Sequence, residues 1–314
     1  MKRELLSKQQ LEQLCKEWDI FPEEVECTGR GFQLRTRWGE RFLCLCPTDE
    51  AVFGWYLRQH LFGRGFSRLL RYIPNKYGDP YVLYEEKAAF LTDWLPTARW
   101  QLKGDYDVAL LAGILADFHL NGDGFFIPGA VLERLVAPDE QLEQTLSFEP
   151  PPLSAQNVEA FDRLQKRCAN LLKALPKKTI SQLSKEAMQE GQAVHGWFSS
   201  AAVRETFGSP ILVDFSQSSY GVRVWDFAIF VSNCLMELGF ARELIKTAVA
   251  AYEQKRRFSE NEREVFMAAV DIPFGFVAAL NKWEKRQIDS YQFNILLLRE
   301  DEYWRQRAYD GQRL

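Results

Sequence analysis

The chain has 314 residues, 46% hydrophobic and 26% charged, with 39 Lys and Arg against 43 Asp and Glu for a net charge of −4. This apolar content excludes a disordered chain, and the slight acidity gives no electrostatic case for nucleic acid or an anionic membrane as the main partner. No apolar run approaches the roughly 18 residues that a bilayer span needs. The unusual quantity is aromatic, with 23 Phe, 11 Tyr and 9 Trp. The start, Met1 to Gln10, carries basic residues but no apolar segment, so no secretory signal is expected. Cysteines stand at 15, 27, 44, 46, 168 and 234 with no CxxC pair, and no histidine has a partner at metal-ligand spacing. A reducing compartment without a zinc site is the expectation. Cys44 and Cys46 are read as facing opposite sides of one strand.

A soft prior of about 150 residues per domain gives two lobes. Residues 4–18 read as an amphipathic helix with Leu5, Leu11, Leu14, Cys15 and Trp18 on one side. From 24 to 46 the pattern changes to strands: Phe32, Leu34 and Thr36 alternate with polar neighbours, and the turn around Trp38-Gly39 leads into Phe42–Cys46. A helix follows over 49–63, then strands over 80–85 and 88–94 joined as a tight hairpin. Past a hinge near 94–98 the chain turns helical, over 105–121, 155–174, 226–238, 240–256 and 260–270. One β-rich island, 192–198 and 211–215, interrupts the helices, and Pro150-Pro151-Pro152 marks a loop.

Three short segments carry the chemistry: Val194-His195-Gly196-Trp197 running to Ala202, then Ile211-Leu212-Val213-Asp214-Phe215, then Val224-Trp225-Asp226-Phe227. Together they resemble the aminoglycoside phosphotransferase and choline-kinase-like superfamily. There the first segment reads His-Gly-Asp with an Asn five residues after the Asp, and the second reads apolar-apolar-Asp-Phe. Leu115-Ala116-Asp117-Phe118-His119-Leu120, Gln217–Gly221 and Pro273-Phe274-Gly275-Phe276 resemble the spore-coat kinase-like (CotS) proteins within that group. The resemblance implies an α+β, bilobal protein-kinase-like fold, with a small β-rich N-lobe and leading helix over 1–96 and a larger helical C-lobe over 97–314. It also implies synthesis in the cytoplasm and a place in the spore coat, with other coat proteins as partners.

The same alignment shows what is missing. Phosphoryl transfer is positioning and charge neutralisation, which require a carboxylate at the acceptor hydroxyl, hard oxygen ligands for magnesium and a lysine on the phosphates. This chain has Trp197 at the carboxylate position, Ala202 at the metal-binding amide and Cys46 at the lysine. An indole N–H only donates. Asp214 alone survives as a candidate metal ligand, and it can equally cap a turn after a buried strand. His195 is expected to have a structural role, and Asp226 to tie down the backbone of the first segment from the start of a helix. Trp197 has two readings: it fills the space left by phosphate and metal, or it offers a stacking surface to another ligand. Gly29 and Gly31 are weak candidates for a phosphate-covering loop, with a plain hairpin turn the equal alternative. The expectation is a pseudokinase, a coat-assembly or binding protein that needs no cofactor. The alternative is a residually active small-molecule phosphotransferase that uses ATP and Mg²⁺.

Overall fold

The computed structural model describes residues 6–28, 31–95, 99–127, 138–206, 208–239 and 242–309. It divides into two compact units: Met1–Trp100 with Phe126–Glu133 and Ala201–Ser218, and Gln101–Phe125 with Arg134–Ser200 and Ser219–Leu314.

The first unit begins with α1 (Lys8–Cys15), which starts at a capping box in which Ser7 and Gln10 exchange side-chain-to-backbone bonds. A 3-10 turn ends at Asp19, whose φ of 54° breaks the helix. The strands β1 (Glu24–Thr28), β2 (Gly31–Thr36) and β3 (Gly39–Pro47) form an antiparallel meander. The hairpin between β2 and β3 turns on Gly39 at φ 100°, with Thr36 Oγ1 donating to its carbonyl. After α2 (Thr48–Gly63) come β4 (Tyr72–Ile73), β5 (Val82–Tyr84) and β6 (Lys87–Asp93), and the sheet runs β1-β2-β3-β6-β4 with β5 also paired to β6.

One face of this sheet, with Leu34, Leu43, Ala89 and Leu91, buries Leu11, Leu14, Cys15 and Trp18. The other face presents Phe42, Cys44 and Cys46, opposite Thr92, Phe90 and Ala88 of β6, and α2 packs against both strands. Cys44 and Cys46 therefore share a face, contrary to the sequence reading, because side chains two apart on a strand point the same way. Their thiols act on each other, and burial first and then Cys44 push the Cys46 thiol up to about 12.

Far along the chain, β8 (Val203–Thr206) and β9 (Ser209–Leu212) form a hairpin that returns to this unit. Leu212 accepts from Leu70 N (2.8 Å) and donates to Arg68 O (3.0 Å), and Trp100 N donates to Val203 O. Residues 201–218 consequently belong with the β-rich unit although helices surround them in sequence.

The second unit is helical: α3 (Asp105–Asn121), α4 (Pro138–Leu146), α5 (Ala155–Ala174), α6 (Lys177–Gln189), α7 (Arg223–Leu238), α8 (Arg242–Glu253), α9 (Glu260–Ala269), α10 (Phe274–Glu284) and α11 (Ser290–Tyr309), with the short pair β7 (Ala193–Val194) and β10 (Ser219–Tyr220). Its core is aromatic, with Phe227 within 4.4–6.1 Å of Phe230, Tyr252, Phe258 and Phe266. This packing absorbs part of the aromatic excess.

Helix α10 has no side-chain cap of its own, since Pro273 precedes it. The buried carboxyl of Glu300, on α11, accepts the backbone N–H groups of Gly275 and Phe276 as well as Trp304 Nε1 at 3.1 Å. A Cβ on residue 275 would collide with Glu300 Oε2, so the glycine is what admits this cap from another helix. Among the described residues no single helix is long and apolar enough to cross a membrane. Helices α9 and α10, bent 74° to each other, pass such a test only as a pair, and both turn buried side chains to the core.

Candidate functional site

In the first unit the residues of interest lie around one buried cation. Arg58 sits on the apolar stripe of α2 among Gly54, Leu57 and Leu61 and is 4% exposed. Its Nε donates to Leu70 O at 2.9 Å, and its Nη1 to Gly54 O at 3.0 Å and Tyr72 Oη at 3.3 Å. Its guanidinium carbon stands 4.5 Å from the centre of the Tyr72 ring and 4.0 Å from that of Phe215. Tyr72 in turn stacks on Phe90 at 4.1 Å. Burial lowers the pKa of Arg58, and Tyr72, the Asp214 carboxylate and the thiols of Cys46 and Cys44 oppose that shift.

Asp214 lies two residues past the end of β9 and is half-buried. Its Oδ1 accepts from Ser216 N at 3.0 Å, an Asx turn that reverses the chain after the strand. Ala202, 5% exposed, precedes β8 and accepts from Val213 N through its carbonyl, so it sits one strand away from Asp214 with only a methyl group to offer. Gly31 lies within β2 opposite Cys44, where a Cβ would collide with Leu43 O. Close strand approach accounts for that glycine without any ligand. Gly29 lies outside the described residues. The nearest lysines in sequence point elsewhere: Lys87 is exposed at the start of β6, and Lys76 donates to Lys16 O.

In the second unit the loop after β7 holds the other residues. His195 is 2% exposed, and its ring meets Phe198 edge-on at 5.3 Å and Phe118 at 5.9 Å. Gly196 takes φ 83° and turns the chain. Trp197 is half-buried and lies edge-on to Phe274 at 6.4 Å, and Trp225 contacts the same ring at 5.6 Å. Both indoles thus stand against the ring of Phe274.

The loop is fixed from below by Asp226, in the first turn of α7. Its Oδ2 accepts from His195 N at 2.8 Å and faces His119 Nε2 at 3.2 Å, while His119 Nδ1 meets Tyr252 Oη at 2.7 Å. Burial brings the His119 pKa down to about 4. Burial pushes Asp226 the other way, but its bonds from His119 and His195 prevail and hold it below the ordinary carboxylate value. The imidazole is therefore neutral, with its proton on Nε2 toward the carboxylate and its Nδ1 accepting from the tyrosine hydroxyl. This chain of three bonds across α8, α3 and α7 ties the backbone of the loop after β7 to the helical core.

Sequence reasoning missed Arg58 and Tyr252, and it named His119 within Leu115–Leu120 without assigning it a role. The available signal was a charged or polar side chain on an otherwise apolar helix face: Arg58 in line with Leu57 and Leu61, and His119 beside Phe118.

The donor set does not suit magnesium. That ion requires several hard oxygens, and these positions supply one carboxylate, a methyl group, a high-pKa thiol and a neighbouring guanidinium. Among the described residues no group of three His, Cys, Asp or Glu side chains could hold a metal ion.

No family model and no curated protein matches the sequence. Solved structures do match over nearly the whole chain. An aminoglycoside phosphotransferase from Alicyclobacillus acidocaldarius is similar with a TM-score of 0.69 at 15% identity, covering 96% of this chain and 95% of that one. A microcompartment-associated aminopropanol kinase has a TM-score of 0.64 at 13% identity, with 98% and 99% covered. A choline kinase from Streptococcus pneumoniae has 0.54 at 13%, with 93% and 96% covered. The α+β protein-kinase-like fold of small-molecule kinases, with a β-rich N-lobe and a helical C-lobe, is thereby shown.

Proposed function

We propose that this chain is a pseudokinase: it keeps the fold of a small-molecule kinase and acts as a binding or assembly protein without phosphoryl transfer. The observation that carries the reading is Trp197. In the motif pattern it occupies the position of the catalytic carboxylate, and its indole packs edge-on to Phe274. An indole accepts no proton from a hydroxyl. Ala202 and Cys46 extend the argument, because neither methyl nor a thiol pushed up to about 12 replaces an oxygen ligand or a lysine. Loss of an oriented base typically costs about 10²–10⁴ in rate, and losing the metal and phosphate contacts as well leaves little stabilisation for the transferring group.

The spore-coat kinase-like family is the member of this fold group that the motifs support, through Leu115–Leu120, Gln217–Gly221 and Pro273–Phe276. On that reading the protein works in the spore coat or its assembly, its partners are other coat proteins, and it requires no cofactor. The competing reading, an ATP- and magnesium-dependent phosphotransferase, draws on the kinases it is similar to and on the retained Asp214.

Thermal unfolding with and without MgATP separates the two, because only a ligand that binds the folded state raises the melting temperature. The expected result is an unchanged melt. A magnesium-dependent rise, together with ADP release in the presence of a small amino or hydroxyl acceptor, overturns the proposal.

A further inference from the structure

The cysteines fall into two groups. Cys15, Cys168 and Cys234 are buried, as a small apolar side chain usually is, whereas Cys27, Cys44 and Cys46 reach the surface. Cys44 and Cys46 lie two residues apart on β3 and share one face of the sheet. Two residues of extended strand separate their Cα atoms by about 6.6 Å, and side chains pointing the same way keep that spacing at Cβ. A disulfide needs Cβ atoms about 3.5–4.5 Å apart, so this strand does not join its two thiols directly. A metal–thiolate bond is about 2.3 Å long, and a two-coordinate ion therefore spans sulfurs about 4.6 Å apart. Each sulfur has to lean only about 1 Å toward the other, which a staggered rotamer allows.

The surroundings suit such an ion. Gly31 faces Cys44 from β2 and Ala88 faces Cys46 from β6, so on one flank of each thiol the sheet carries no long side chain. Cys44 Sγ donates to Leu45 O at 3.9 Å, a weak bond that a metal displaces. Cys27 stands in line with Phe32 and Leu43 on the opposite face and is no third ligand. Among the described residues no group of three His, Cys, Asp or Glu side chains could hold an ion. This removes zinc, which takes three or four such ligands, and leaves a soft monovalent cation that two thiolates satisfy. The complex carries one negative charge, and a buried cation lies on the same side of the sheet: Phe90, opposite Cys44, stacks on Tyr72 at 4.1 Å, and Tyr72 Oη accepts from Arg58 at 3.3 Å.

We propose that Cys44 and Cys46 bind one Cu(I) ion as a two-coordinate dithiolate. Binding forms two S–Cu bonds and breaks two S–H bonds, with both protons passing to solvent and no change of oxidation state. The ion is a bound ligand and not a catalytic cofactor, so the inference stands apart from the pseudokinase reading, and ATP turnover would remove that reading while leaving this site in place.

The reduced full-length chain, kept without oxygen, is titrated with Ag(I), a redox-inert probe of the same class, and with Cu(I) against a chromogenic Cu(I) chelator. One ion per chain is expected. Cys44→Ser and Cys46→Ser should each weaken uptake by at least about 100-fold, the most that an outer hydrogen-bond partner of a ligand costs, while Cys27→Ser leaves it unchanged. Alkylation of the wild-type chain, mapped by mass spectrometry, needs no variant to fold. One equivalent of Ag(I) should protect Cys44 and Cys46 together and leave Cys27 reactive, and one equivalent of zinc should protect neither. Absence of uptake, uptake that survives loss of either thiol, protection confined to Cys27, or equal protection by zinc overturns the proposal.

Discussion

Replacing Glu300 with Gln should change how stability depends on pH, and the structure gives both sign and size. The Glu300 carboxyl is 1% exposed, and burial raises its pKa to about 7 against the opposing bonds from Trp304, Phe276 and Gly275. A raised pKa means that the folded state keeps a proton the unfolded chain has released. Its contribution is full below the unfolded value of 4.5 and is lost as pH rises through about 7. At about 1.36 kcal/mol per unit, the loss is about 3 kcal/mol.

His119 works in the opposite direction. Its pKa falls from 6.5 to about 4, so its contribution is full above 6.5 and is lost as pH falls through about 4, again by about 3 kcal/mol. In the overlap between these windows the two slopes cancel. An amide in place of the carboxyl cannot ionise, so the variant keeps only the histidine slope and gains about 1.4 kcal/mol per pH unit across the overlap. That amide also meets Trp304 Nε1 or the backbone donors with the wrong atom, but the penalty is constant in pH and leaves the slope untouched. Urea unfolding at half-unit steps from about pH 4.5 to 8 gives the two curves. The difference between variant and wild type should change by about 3 kcal/mol over the range. Parallel curves would mean that Glu300 is ionised at ordinary pH and that its three donors outweigh burial.

Asp226→Asn should lower stability by about 2–4 kcal/mol, because both His195 N and His119 Nε2 lose a charged acceptor in a buried site; chemical denaturation measures it, and a loss below about 1 kcal/mol would contradict the positioning role. Gly275→Ala should cost about 2 kcal/mol by driving a methyl into Glu300, and Glu300→Ala in the same chain should recover part of it; a larger combined loss than the sum would refute the collision. Restoring the motif with Trp197→Asp and Ala202→Asn should yield no robust ATP turnover while Cys46 remains at the lysine position, and turnover in a coupled ADP assay would show that another cation serves the phosphates.

Local patterns make much of this fold legible. Alternation reveals β2 and β3, the Gly after Trp38 marks their turn, and helix α3 is expected over its observed span, because its apolar positions recur at helical spacing. Helices α4 and α6 are not read, although their buried residues recur at helical spacing (Ile180, Ser184 and Ala187 in α6), because each buries only three positions in a short, mostly polar run. The 211–215 segment reads as a strand, but nothing local tells that it hydrogen-bonds to residues 68–70. At the site, residue identity suffices to mark Trp197, Ala202 and Cys46. Arg58 is invisible for the same reason as that strand pairing: a cation's burial depends on rings and carbonyls brought from Tyr72, Leu70 and Phe215, which no periodicity encodes.

The return of β8 and β9 to the first unit bears on how this protein emerges from the ribosome. The opening hundred residues contain a complete sheet, yet two of their backbone partners and one face of the Arg58 sandwich are not synthesised until Leu212 and Phe215. At typical elongation rates of about 5–20 residues per second, that gap lasts on the order of ten seconds. Throughout it the nascent chain carries a cation facing the core without its second aromatic cover, together with unpaired edges at Arg68 and Leu70. Sequence-distant closure of this kind slows folding, and completion of the first unit waits on synthesis through Phe215.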